Sequence, residues 1–317
     1  MKKINQSIAG MSLGGGRKEN FFFCLLEHFE EEGRWFLSHL KQVIDEDNLD
    51  RDQTIMSWVE NHGLEHLIVD FPLTKPTCET CDLDCPGTAK CHHPVVQEVR
   101  KQIQDILSED QKRFESHPKQ YENERIEDGL VDYSVSILSK ETHHHMLSKS
   151  FKRRLKKGYL SYWNRPIDFW IWKHYYDQIL ATFNLSYDSF GNVSLMLMNR
   201  FKYLLRHLPP SLHMHESSVY ICLLELYRSK IITRKNLTEL YDLTLAPIAR
   251  MEIIRGIEKK CSIFIYENDL ELIVKNPRAF ESFILAVAGL SLSEKKARAI
   301  PDFGEKNPPS FVIPQFS

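Results

Sequence analysis

His66-Leu67-Ile68-Val69-Asp70-Phe71-Pro72-Leu73 is the stretch on which the fold turns. Leu67, Ile68, Val69 and Phe71 make residues 66–71 a strongly apolar core strand. Pro72 has no N–H to give to a ladder and ends it. A strand this apolar suits a sheet covered on both faces, as in α/β folds. The strand also delivers a carboxylate, Asp70, to its C-terminal end, where α/β folds build their sites.

Upstream, residues 7–13 read as a short strand running into Gly14-Gly15-Gly16. Asn20–Phe29 reads as a second strand and residues 34–40 as a third, with residues 30–33 as a turn. Such tight connections predict an antiparallel meander. Residues 52–61 put Ile55, Trp58 and Val59 on one helical face, and Gly63 stops the helix.

Downstream, residues 95–114 are helical by period, and residues 116–136 are polar with no assignable period. Residues 194–208 form a helix stopped by Pro209-Pro210. Residues 212–217 read as a strand with Glu216 near its end. Residues 219–228, 235–241 and 248–259 are helical, and in residues 276–290 Phe280, Phe283, Ile284 and Val287 share a face. The class is therefore α/β: a mixed sheet of about five strands, helices on both faces and a helical insert. The expected organisation is one domain over residues 1–300, with a Cys-rich loop at 74–94 and a helical insert at about 95–190. A Pro-rich tail follows at 301–317.

A hydrophobic share of 42% with 26% charged residues provides for a large core. The net charge of −2 excludes a broadly basic, nucleic-acid-coating surface but leaves room for a local basic stripe. Residues 1–20 carry no apolar signal segment, and no run approaches the roughly 20 apolar residues of a membrane span. A cytoplasmic protein that does not enter the membrane is the expectation.

Cys24, Cys222 and Cys261 lie in apolar runs and read as buried thiols. Cys78, Cys81, Cys85 and Cys91 are different: C-x2-C-x3-C-x5-C, followed by His92-His93. Outside an oxidising compartment such a cluster reads as a metal loop rather than a disulfide framework. Four thiolates close a tetrahedral zinc site, and Pro86-Gly87 supplies a tight turn. With no open position the zinc would be structural. His92 or His93 in place of one sulfur, and an iron–sulfur cluster, are the alternatives.

The run Lys149 to Lys157 concentrates cations beside Phe151, Tyr159, Tyr162 and Trp163. Arg153, Arg154 and Lys156 suit phosphate contacts and the aromatics suit stacking on unpaired bases. The plainer reading is a solvated helix face. The aromatics of residues 169–176 recur at helical spacing and read as core. His143-His144-His145 reads as a polar loop with adventitious affinity for metal.

Asp70, Glu216 and Glu281 each fall near the end of an expected element. Brought together, they would form an oxygen-ligand site for Mg2+ or Mn2+. Apart, they are unrelated surface carboxylates.

Four stretches resemble the predicted nucleases of domain-of-unknown-function family 429, which have an RNase H-like fold. Ile8-Ala9-Gly10-Met11-Ser12 is similar to the family's first strand. Leu67-Ile68-Val69-Asp70-Phe71-Pro72-Leu73 resembles its Ile-Asp-x-Pro-Leu segment. His215-Glu216-Ser217 looks like its Glu-bearing strand. Residues 279–286, Ala-Phe-Glu-Ser-Phe-Ile-Leu-Ala, resemble its final Asp-Ala-x-Asp-Ala helix, also seen in RuvC-like resolvases. The resemblance implies a metal-dependent nuclease in which Asp70, Glu216 and Glu281 hold Mg2+ or Mn2+, and the metal activates water against a phosphodiester. Two departures bear on this. Ser12 stands where the family has its first-strand Asp, and Arg278 where a second helix acid is often found. Glu141 and Asp168 are the further acids that the insert could supply. The alternative implied by the departures is a catalytically inactive RNase H-like binding module with a zinc-stabilised loop.

Overall fold

The computed structural model describes residues 4–14, 20–44, 46, 48–130, 147–183, 195–240, 242–305 and 310–316. The protein is α/β, with a six-stranded mixed sheet and helices. The chain forms two compact units. Unit 1 comprises Met1–Leu73, Asn192–Ile300 and Pro309–Ser317, and unit 2 comprises Thr74–Gly191 and Pro301–Pro308.

Unit 1 opens with the expected meander: β1 (Ile4–Gly14), β2 (Asn20–Phe29) and β3 (Arg34–Gln42). Each pairs antiparallel with the next. α1 (Arg51–Asn61) starts at a capping box, in which Asp50 and Gln53 satisfy each other's backbone N–H. β4 is shorter than the apolar run suggests, spanning His66–Val69, so Asp70 sits just past its end.

Unit 2 is helical: α2 (Pro94–Ser116), α3 (Pro118–Leu130), α4 (Lys149–Lys157) and α5 (Pro166–Phe183). α3 lies where the sequence showed no period. It is held partly by local polar pairs, such as Gln120 donating to Glu124 at 2.6 Å, which hydrophobic periodicity does not register. In α5, Phe169, Ile171, Trp172, Tyr175 and Tyr176 are buried, as helical spacing predicts.

The chain returns to unit 1 through α6 (Leu195–Leu204) and β5 (His213–Glu216). There follow α7 (Val219–Arg228), α8 (Arg234–Glu239), α9 (Ala246–Cys261), β6 (Ile263–Phe264), α10 (Glu267–Lys275) and α11 (Pro277–Ser293). The strand order is β5-β4-β1-β2-β3-β6, with β4 parallel to both β1 and β5, and β6 parallel to β3. β6 is a strand the sequence reading lacked, because two residues carry no period.

Both sheet faces are covered. On one, Ile55, Trp58 and Val59 of α1 and Phe201 and Leu204 of α6 pack with Ala9, Met11, Phe23 and Leu25. On the other lies α11. A Cβ built on Gly10 would sit 2.1 Å from the Ser282 carbonyl oxygen and 2.3 Å from the Ala286 nitrogen, so only glycine allows this approach.

The last residues are not a free tail. Phe311, Val312 and Ile313 are buried. The Glu216 N–H donates to Ser310 O and the Val312 N–H to Glu216 O, each at 2.7 Å, so the segment covers the edge of β5. No helix among the described residues is long and apolar enough to cross a membrane.

Candidate functional site

Parallel pairing of β1 with β4 sets Met11 level with Val69, and so Ser12 level with Asp70. The pleat alternates side chains, placing Gly10 and Ser12 on the face that α11 covers. α11 then brings Glu281 over Ser12. The Ser12 hydroxyl lies 2.8 Å from Glu281 Oε2 and 3.3 Å from Asp70 Oδ2. Ser12 is fully buried. A hydroxyl has one proton to donate, and the distances assign it chiefly to Glu281. On the same oxygen of Glu281, Arg278 Nη1 donates at 2.5 Å. That pair is i, i+3 on α11 and half-exposed.

Glu216 does not join them. β5 pairs with β4 so that Glu216 is level with Val69 rather than Asp70. Alternation puts it with Leu67, Val69 and Met214 on the α1 side. It is 1% exposed, and its Oε1 accepts the Leu73 N–H at 2.7 Å. Two of the three expected carboxylates are therefore brought together, with a serine between them, while the third fixes the chain just after Asp70. The bridging role of Ser12 was not foreseen. The signal was present in the matched position of Ser12 and Asp70 on adjacent parallel strands.

Among the described residues, no three His, Cys, Asp or Glu side chains form a group able to hold a metal ion. The carboxylates fail for the reasons just given. In unit 2, Cys78 donates its thiol to Ser161 Oγ at 3.0 Å, Cys85 is exposed, and Cys81 and Cys91 are half-buried. As placed, neither the three carboxylates nor the four thiols form such a group. Asp168 is also not an available ligand. It is buried and ion-paired with Arg165 at 3.0 Å. Glu141 and His143-His144-His145 lie outside the described residues. Of the scattered thiols, Cys24 and Cys222 are fully buried and Cys261 is half-buried. Burial pushes the Cys222 and Cys261 thiols up to about 12.

In unit 2 the basic run is α4, capped by Ser148, whose hydroxyl accepts the Phe151 N–H at 3.0 Å. Phe151 and Leu155 are buried. Lys152 pairs with Asp110. Arg154 stacks on Trp172, 3.8 Å from the ring centre, and is not a free phosphate ligand. Lys149, Arg153, Lys156 and Lys157 are exposed. At the helical period they fall within an arc of about 100°. The turn after the helix exposes Tyr162 (52%) and Trp163 (47%).

A histidine cluster was also not anticipated. His66 and His213 pair across β4 and β5, and His66 Nδ1 lies 3.1 Å from His215 Nε2. His215 Nδ1 bonds Ser310 Oγ at 2.6 Å. Burial, with His66 and His213 adding to it, lowers His215 to about 4. Burial lowers His39 to about 4 as well, helped by His62 and Lys41. Both rings are neutral in the folded protein at neutral pH, whereas the unfolded chain takes up their protons near pH 6.5. Their stability contribution is complete above pH 6.5 and is lost as pH falls from there towards 4. The melting temperature should therefore drop across that window. His215→Gln should flatten the drop without abolishing it, since His39 still titrates. A melting temperature constant from pH 7 to 4.5 would show that these burials carry no linkage.

No known protein family, no curated protein and no solved structure matches the chain.

Proposed function

We propose that unit 1 is an RNase H-like domain whose acidic site is closed from within, and that the protein binds nucleic acid without hydrolysing it. The fold half of the reading draws support from the meander β1-β2-β3 and from β4, which ends before Asp70 and runs parallel beside β1. The functional half rests on one observation: the Ser12 hydroxyl occupies the space between Asp70 and Glu281. A divalent metal needs bare carboxylate oxygens there. Ser12 offers a neutral hydroxyl, Arg278 already neutralises Glu281, and Glu216 is turned to Leu73. A Mg2+- or Mn2+-dependent nuclease is the second reading, favoured by the closeness of Asp70 and Glu281. Bound metal would supply an activated water for phosphodiester hydrolysis. Zinc at Cys78, Cys81, Cys85 and Cys91 rests on their spacing alone.

The nucleic-acid surface is the exposed face of α4, with Tyr162 and Trp163 following it. Fluorescence anisotropy with a labelled single-stranded oligonucleotide at low salt should give binding that weakens steeply as salt rises. The double variant Arg153→Ala/Lys156→Ala should weaken it about ten-fold and reduce the salt slope by about two, one for each lost phosphate contact. The same oligonucleotide incubated with Mg2+ or Mn2+ should stay intact. Cleavage that Asp70→Asn abolishes would replace the first reading by the second. No binding at low salt would remove nucleic acid from both.

A further inference from the structure

Unit 2 contains a cavity of about 270 Å3 between the first turns of α2, the first half of α5 and the segment Pro301–Phe303. Its apolar wall includes Val99, Phe169, Trp170 and Phe303. Lys173 also lines it. Burial holds the Lys173 ammonium below its usual range. No hydrogen bond or ion pair engages Lys173 among the described residues. A half-buried ammonium beside apolar walls, with no direct ion pair, is left able to pair with an anionic ligand in the cavity.

Two carboxylates line the same cavity, and neither serves Lys173. Glu98 accepts from the Gln102 amide at 2.9 Å. Asp302 accepts from the Gly304 N–H at 2.8 Å, closing its own turn. Both are exposed, towards the rim. They leave Lys173 uncompensated and at the same time repel ligands of high negative charge.

We propose that this cavity binds a small aromatic monocarboxylate, its ring held against Phe169, Trp170 and Phe303 and its carboxylate paired with Lys173. The volume lies just below the range of drug-sized sites, which fits a single ring with a short acid side chain. The flat walls favour an aromatic body by stacking. The single cation and the acidic rim favour one negative charge over two.

Isothermal titration of the full chain with phenylacetate and trans-cinnamate, alongside phenyl phosphate and phenethylamine, tests this. The carboxylates should bind, the dianion more weakly and the amine not at all. Lys173→Met should weaken carboxylate binding at least about ten-fold, the loss of one charge-assisted contact, while Lys173→Arg keeps most of it. Circular dichroism and the melting temperature of Lys173→Met should match or exceed the wild type, because the variant removes a half-buried charge. Equal binding by Lys173→Met, preference for phenethylamine, or no carboxylate binding at millimolar concentration would each overturn the proposal. The oligonucleotide measurements are independent of all these outcomes.

Discussion

Ser12→Asp is expected to destabilise the protein by about 3–5 kcal/mol in metal-free buffer and to make its melting temperature respond to Mn2+. Ser12 is fully buried, with carboxylate oxygens at 2.8 and 3.3 Å. A third carboxylate in that space is a buried like charge, and it also removes the Ser12 hydroxyl proton that lies between the other two. Arg278 offsets part of this, since it already donates to Glu281. Divalent metal reverses the balance, because the change supplies the hard anionic oxygen the native site lacks. At Mn2+ concentrations about a hundred times the dissociation constant, binding would restore about 2.7 kcal/mol. The wild type should show no Mn2+ shift. Ser12→Ala separates loss of the hydroxyl from gain of charge: it should cost about 1–2 kcal/mol, with no response to metal. Thermal melts of the three proteins with and without Mn2+ decide the matter. A wild type strongly stabilised by Mn2+ would mean that Ser12 does not close the site.

Gly10→Ala should be nearly as damaging, with a loss of about 4 kcal/mol or more in chemical denaturation. The added methyl would meet the Ser282 carbonyl oxygen at 2.1 Å, the Ala286 nitrogen at 2.3 Å and the Leu285 carbonyl carbon at 2.9 Å. All are backbone atoms, so relief requires α11 to move away from β1. Gly289→Ala is the comparison. Its methyl meets side-chain atoms of Ile8 at 2.4 Å and Ile68 at 3.0 Å, which can turn aside, and the cost should be about 1–3 kcal/mol. If Gly10→Ala were as stable as the wild type, the close seat of α11 on β1 would be wrong. The placement of Glu281 over Ser12 would then lose its basis.

The meander and β4 were legible as short apolar runs bounded by turn signals, and α11 as an apolar face at helical spacing. β6 and α3 were not. Two residues carry no period, and the first turns of α3 bury a single aromatic, Tyr121, beside the Gln120–Glu124 pair rather than an apolar stripe. The acidic site was half legible. Asp70 and Glu281 could be picked out as carboxylates at element ends. The register that puts Ser12 rather than Glu216 between them depends on pairing between β1, β4 and β5, and pairing is not written in any one segment. The basic run was visible as charge, but not which cations it spends internally. Lys152 on Asp110 and Arg154 on Trp172 are tertiary choices.

Neighbouring strands β4 and β5 are joined through the whole of Thr74–Gly191. Leu73 and Glu216, hydrogen-bonded to each other, are 143 residues apart in the chain. Loop-closure entropy grows only with the logarithm of length, so holding the ends of such an excursion together costs about 4 kcal/mol, and doubling it would add only about 0.6. In evolutionary terms the gap between β4 and β5 is a tolerant port. Additions there cost the sheet little as long as they fold on their own, and new binding surfaces can be gained without renegotiating the core.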